Sequence, residues 1–164
     1  NQETLNRINK NLTVAEILES CQMARAAGLY PHLTIMFGYP WEDYEGARNT
    51  LELGRHLLRK GWAYTVQATA VVPYPGTPLI EECQREGWLK TGDWDRYDMK
   101  EPVMTTPMAD GQVMELVQGV YGVAFHPEFL FRKALTMRDW DDLRYFWRAA
   151  RKVVGHLVDF GKRQ

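Results

Sequence analysis

The chain is poor in cysteine, with only Cys21 and Cys83 in 164 residues. The two make no Cys-x-x-Cys pair and no metal-ligand spacing. Each reads as a buried free thiol acting as a small hydrophobe, and the setting reads as reducing. Histidine is scarce too. His32, His56, His126 and His156 fit no metal spacing, and a satisfied core or surface side chain is expected at each. Neither sign of charge dominates: 20 Lys and Arg stand against 21 Asp and Glu, a net charge of −1. That withholds the electrostatic footprint on which phosphate-driven nucleic-acid binding depends. No apolar run approaches a membrane span and no signal-peptide pattern is visible, so a cytoplasmic protein is expected. Internal repeats and low-complexity segments are lacking. The first residue is Asn1 rather than an initiator Met, and the expectation is a piece of something longer.

What is present suffices for one domain with a real core, since 45% of the residues are hydrophobic. The centre is Leu33 to Glu42, Leu-Thr-Ile-Met-Phe-Gly-Tyr-Pro-Trp-Glu. A short apolar run reaches Gly38, turns through Pro40 and meets Glu42 and Asp43 ahead of an amphipathic segment. This predicts a strand over His32 to Phe37, buried on both faces as in parallel sheets, then a turn and a helix capped by Asp43 or a neighbour. Tyr44, Ala47, Leu51, Gly54 and Leu58 share that helix's apolar face, and Lys60-Gly61 ends it. Tyr64 to Val72, rich in Val, Thr and Tyr, predicts a second strand, which makes a βαβ unit. Pro73-Tyr-Pro-Gly-Thr-Pro78 must leave the sheet. Thr77 and Pro78 then start a short helix that stops at Gly87.

Upstream, Leu5 and Ile8 suggest a helical turn or an irregular lead-in. Thr13-Val-Ala-Glu16 reads as a capping box for a helix with Val14, Ile17, Leu18, Cys21 and Ala24 on one face and Gly28 as its left-handed stop. Downstream, Gly87 to Thr106 reads as a long ordered loop. A helix from Ala109 carries Val113, Leu116, Val117, Val120 and Ala124, and His126-Pro127 breaks it before a short helix to Leu135. Asp139 is expected to cap a last helix bearing Leu143, Phe146, Trp147, Val153, Val154, Leu157 and Phe160. Its Arg144, Arg148, Arg151 and Lys152 read as a solvated face.

Four phrases in order carry a resemblance: Leu5-Asn-Arg-Ile8-Asn-Lys10, Ala27-Gly28, Gly38-Tyr-Pro-Trp-Glu42 and Pro73-Tyr-Pro-Gly-Thr-Pro-Leu79. A loop with Gly87-Trp-Leu89 and Asp93-Trp-Asp-Arg-Tyr-Asp98 continues them. To about Leu135 the chain resembles the C-terminal half of the radical S-adenosylmethionine (SAM) domain. Within that family it resembles the cobalamin-binding branch, which includes the anaerobic magnesium-protoporphyrin ester cyclase and radical methyltransferases. The resemblance implies an α/β fold: parallel strands five and six of a partial (β/α)6 TIM-like barrel over residues 1–106, and a helical C-terminal extension over 107–164. It implies SAM and a 4Fe-4S cluster as cofactors, with cobalamin as a further one. The implied partners are the upstream half of the barrel, a cobalamin-binding domain and a bulky small-molecule substrate such as a tetrapyrrole.

The family's three-cysteine cluster loop is not in this sequence, so the fragment by itself is expected to be inactive. Trp41 stands where the family more often has Gly, and Trp cannot relieve a strained turn as Gly does. By resemblance Met36 supports the adenine ring of SAM, Gly38 lets the backbone approach it, and Val71, Val72 and Pro73 flank its edge. Met36 as plain core remains an open alternative. Thr34, Met36 and Gly38 point one way by the two-residue period, and Leu33, Ile35 and Phe37 the other. Gln67 and Thr69 read either as substrate-cavity residues or as a hydrogen-bonded polar pair. Glu42 reads as a helix cap, and Tyr64 and Tyr74 as packing residues.

Two further readings stand beside this one. One is a non-catalytic α/β interaction module. The other is a hydrolase using Glu42 and Asp43, although neighbours at a helix start diverge rather than face each other. If four strands lie upstream, the first strand has a bare edge. The expectation there is association between copies or a covering by the N-terminal residues.

Overall fold

A computed structural model describes residues 1–136 together with Trp140, Arg144, Trp147, Arg148 and Arg151. Two short helices open the chain, α1 (Gln2–Arg7) and α2 (Val14–Ala26). The capping box holds as expected: the Thr13 hydroxyl accepts the Glu16 N–H at 3.1 Å, and the Glu16 carboxylate accepts the Thr13 N–H at 2.7 Å. Gly28, at φ +80°, takes the left-handed step that ends α2.

Strand β1 (His32–Phe37), helix α3 (Tyr44–Arg59) and strand β2 (Thr65–Ala70) form the βαβ unit, with β1 and β2 parallel and paired from His32–Thr65 to Phe37–Ala70. The fold is thus mixed α/β around a two-stranded parallel sheet. Helix α4 (Pro78–Arg85) follows, capped by Thr77 with Pro78 at its first position. The loop to Thr106 is ordered by a 3-10 turn at Trp94–Arg96 and a bridge between Leu89 and Met104. Helix α5 (Asp110–Tyr121), a 3-10 turn (Gly122–Phe125) and α6 (Pro127–Thr136) complete the described elements.

One face of the sheet is covered. Phe37, Ala68 and Ala70 pack with Ala47 and Leu51 of α3 and with Val113, Leu116, Val117 and Val120 of α5. Gly54 lets α3 lie close to the sheet, since a Cβ there would stand 2.5 Å from Ile35 Cδ1. The Arg55 guanidinium donates to the Gly119 carbonyl at 2.8 and 3.1 Å and ties α3 to α5. A second cluster at the carboxyl ends of the strands joins Tyr39, Val71, Val72, Cys83, Tyr97, Val103 and Met104. A third packs Cys21 of α2 on Leu57, Leu58 and Ala63. Both cysteines are free and buried.

Three expectations need correction. β1 is not buried on both faces: His32, Thr34 and Met36 are exposed, while Leu33, Ile35 and Phe37 face the helices. Apolar content marked the strand, but among the described residues helices cover only one of its sides. Tyr44 is exposed rather than on the inner face of α3, where Leu57 is buried instead. Trp147, expected on an apolar face, is exposed, as are Arg144, Arg148 and Arg151. The Asp139 cap, Leu143, Phe146, Lys152, Val153, Val154, His156, Leu157, Phe160 and the side chain of Ala124 lie outside the described residues. Among the described residues no helix is long and apolar enough to cross a membrane.

Candidate functional site

Ligands of parallel α/β sheets bind at the carboxyl ends of the strands. Here those ends are the 38–43 turn after β1 and the 71–77 segment after β2. The register aligns Thr34 with Gln67 and Met36 with Thr69. In a parallel pair, aligned residues share a face, so Met36, Gln67, Thr34 and Thr69 lie together on the side that, among the described residues, is helix-free. Met36 is 44% exposed there. At the lower end of this face His32 Nδ1 and Thr65 Oγ1 lie 2.8 Å apart. The surface is uncharged, and its polar groups are hydroxyl, amide and imidazole.

The turn after β1 is tied from inside. Glu42 is only 3% exposed. Its carboxylate accepts the Gly38 N–H at 3.2 Å and the hydroxyl of Thr4 in α1 at 3.5 Å. Burial pushes its carboxyl above the ordinary range, against the hydrogen bonds from the Gly38 and Tyr39 backbone and from Thr4 that favour the ionised form. This corrects the helix-cap expectation for Glu42. The cap of α3 is Asp43, whose Oδ1 accepts the Gly46 N–H at 2.8 Å. The two carboxylates point to different partners, so paired-carboxylate hydrolysis has no geometry here.

Gly38 has φ +92°, and a Cβ on it would lie 3.0 Å from Val113 Cγ1. The conformation therefore favours glycine and the packing leaves little room for a Cβ, independently of any ligand. The turn closes with the Glu42 N–H donating to the Tyr39 carbonyl at 3.0 Å. Trp41 is not among the residues with positive φ, which explains how Trp fits where a glycine is commoner. Its ring stacks on Tyr39 at 5.1 Å, and the Arg7 guanidinium lies 4.0 Å from its centroid. Arg7 also meets Glu82 of α4 at 3.2 Å. Trp41 Nε1 is buried without a hydrogen-bond partner.

After β2, the Val71 N–H donates to the Phe37 carbonyl at 2.8 Å, so that donor is already used. The Val72 side chain is buried in the strand-end cluster, Pro73 is fully buried, and Tyr74 is exposed rather than packed. The structure thus brings Met36, Gln67 and Thr69 onto one face, with Gly38, Val72 and Pro73 at its upper rim. Sequence reasoning missed Thr4, Arg7 and Tyr121. Each acts on a distant partner, and nothing local distinguishes it.

Among the described residues no group of three or more His, Cys, Asp or Glu could hold a metal ion. Cys83 is fully buried, and burial pushes its thiol up to about 11, with Glu82 adding to the rise. These residues do not fit an iron–sulfur cluster.

No family model matches the chain. The chain is similar to an uncharacterized methyltransferase of Pyrococcus horikoshii, at 28% identity over 115 residues. The match takes in 70% of this chain and 24% of that protein, so the chain spans about a quarter of its relative's length.

Proposed function

We propose that the chain is the closing part of a SAM-using radical enzyme acting in methyl transfer to, or radical oxidation or cyclisation of, a bulky small molecule. In this reading β1 and β2 are strands five and six of a six-stranded partial barrel, residues 1–106 are the C-terminal part of that barrel, and residues 107–164 are a helical extension. The observation that carries it is the helix-free face on which Met36, Gln67 and Thr69 stand together at the carboxyl ends of two parallel strands. A barrel strand has this character, with one side toward the surrounding helices and the other toward the barrel interior. The methyltransferase name of the Pyrococcus relative supports methyl transfer as the reaction class.

Bound SAM supplies the methyl group or the 5′-deoxyadenosyl radical. The chain's own residues bind and orient. Met36 would support the adenine ring, and the backbone at Gly38, Val72 and Pro73 would border it. Gln67 and Thr69 offer an amide and a hydroxyl to the substrate. The cluster and cobalamin are assigned to other parts of a longer polypeptide.

The test is the longer polypeptide reconstituted without oxygen. It should hold about four irons and release 5′-deoxyadenosine from SAM. Gln67→Leu with Thr69→Val should lower substrate turnover while SAM cleavage persists. A reconstituted protein that binds no iron and leaves SAM intact overturns the reading. The rival, a non-catalytic interaction module, draws on the exposed Met23 of α2 and the exposed Leu29 and Tyr30 that follow it and gains from that outcome. Strand-edge association between copies belongs to either reading.

A further inference from the structure

Gln67 and Thr69 flank Ala68, whose backbone is held from outside the sheet. The Val71 N–H donates to the Phe37 carbonyl, so by the two-residue alternation the N–H and C=O groups of Gln67 and Thr69 turn toward β1. Those of Ala68 turn the other way, to the outer edge of β2. Among the described residues no strand lies there. Instead the Tyr121 hydroxyl, at the end of α5, accepts the Ala68 N–H at 3.2 Å and donates to the Ala68 carbonyl at 3.5 Å. One hydroxyl can do both, since it carries a donor and acceptor lone pairs. The Ala68 N–H belongs to the peptide unit that follows Gln67, and the Ala68 carbonyl to the unit that precedes Thr69. Each unit is planar and is gripped on two sides, by β1 and by Tyr121.

We propose that Tyr121 is a positioning residue for Gln67 and Thr69. The tilt of a peptide plane sets the direction in which the Cα–Cβ bonds beside it leave the backbone. On a strand bonded along one edge alone, these planes can rock. A hydroxyl spanning the N–H and C=O of one residue does at that point what a neighbouring strand does along its whole length. In the barrel reading β2 is the last strand, so its outer edge has no strand to come and a side chain must do this work. The hydroxyl itself reaches out from a fixed base. The Tyr121 ring packs against the sheet–helix core. Two residues earlier, the Gly119 carbonyl takes both bonds from Arg55 of α3, which also meets Glu52 at 2.8 Å. Packing alone asks for no hydroxyl here, because Phe would fill the same space. The inference rests on the reading that Gln67 and Thr69 meet the substrate; Tyr121 acts through them, from behind the strand.

The test is nuclear magnetic resonance of the 164-residue chain, as wild type and as Tyr121→Phe. Amide exchange at Ala68 should quicken about fivefold, the worth of one hydrogen bond. Residual dipolar couplings of the Gln67 and Thr69 Cα–Cβ bonds should shrink as their directions average. Those of Thr34 and Met36, on the same face but in β1, should keep their wild-type values. Val117→Ala separates positioning from plain stability. It thins the core under α5 and leaves the hydroxyl in place, so it should quicken exchange throughout the sheet while the Gln67 and Thr69 couplings stay as in wild type. Arg55→Met frees the Gly119 carbonyl and should shrink the same two couplings, which keeps the test open if Tyr121→Phe does not fold. Wild-type couplings at Gln67 and Thr69 in a folded Tyr121→Phe protein overturn the proposal, as does equal shrinkage in Val117→Ala. The measurement involves neither iron nor SAM, so its failure is separate from failure of the barrel reading, which the reconstituted longer polypeptide decides.

Discussion

Glu42 is the residue whose chemistry and packing pull hardest against each other. Its carboxylate holds the Gly38 turn and Thr4, yet burial raises its affinity for a proton. The folded chain therefore keeps that proton to a higher pH than the unfolded chain does. Below the unfolded value both states are protonated and the site costs nothing. As pH rises through the folded value, the folded state must bury a charge, and stability falls. Glu42→Gln keeps the acceptor oxygen and cannot ionise. Urea midpoints of wild type and variant, compared from pH 4 to pH 7, should shift progressively in the variant's favour, and parallel curves would refute the buried ionisation. Glu42→Ala leaves the Gly38 N–H without its acceptor and should cost about 1–3 kcal/mol. At the neighbouring position, Gly38→Ala should cost at least about 1–2 kcal/mol for the left-handed conformation, and more if Val113 cannot move.

At the scale of elements, helix boundaries were legible because their signals are local. Thr13 with Glu16, Asp43 before α3, and Thr77 with Pro78 all act within three residues of themselves. Thr77→Ala should therefore cost about 1 kcal/mol. The loss should appear in amide exchange as fraying of α4 rather than of α3; equal loss in both helices would argue against a local cap. The sides of β1 were legible in the same way, from the two-residue period that separates Thr34 and Met36 from Leu33, Ile35 and Phe37. What covers each side was not, because that depends on α3 and α5 arriving from elsewhere in the chain. Glu42 was misassigned for the same reason. Acidic residues at a helix start usually serve the helix, but here a hydroxyl 38 residues away draws the carboxylate inward. The Tyr121 bond to Ala68 spans 53 residues and leaves no mark in the sequence near either partner.

Across the whole molecule, the sheet–helix core and the strand-end cluster are separate bodies of apolar contact. The second is built largely from loop residues around Met104, which is 1% exposed. Met104→Ala should cost about 2–5 kcal/mol and should loosen residues 87–106 before it loosens β1 and β2. Hydrogen exchange resolved by residue distinguishes this from a uniform loss. The Cys83 thiol lies in that cluster, 3.4 Å from Met104 Sδ. A thiol so enclosed, and held so far toward its protonated form, cannot meet an alkylating reagent until the loop swings away from it. Its labelling half-time is thus a stopwatch for the opening of the strand ends, and Cys21 keeps separate time for α2.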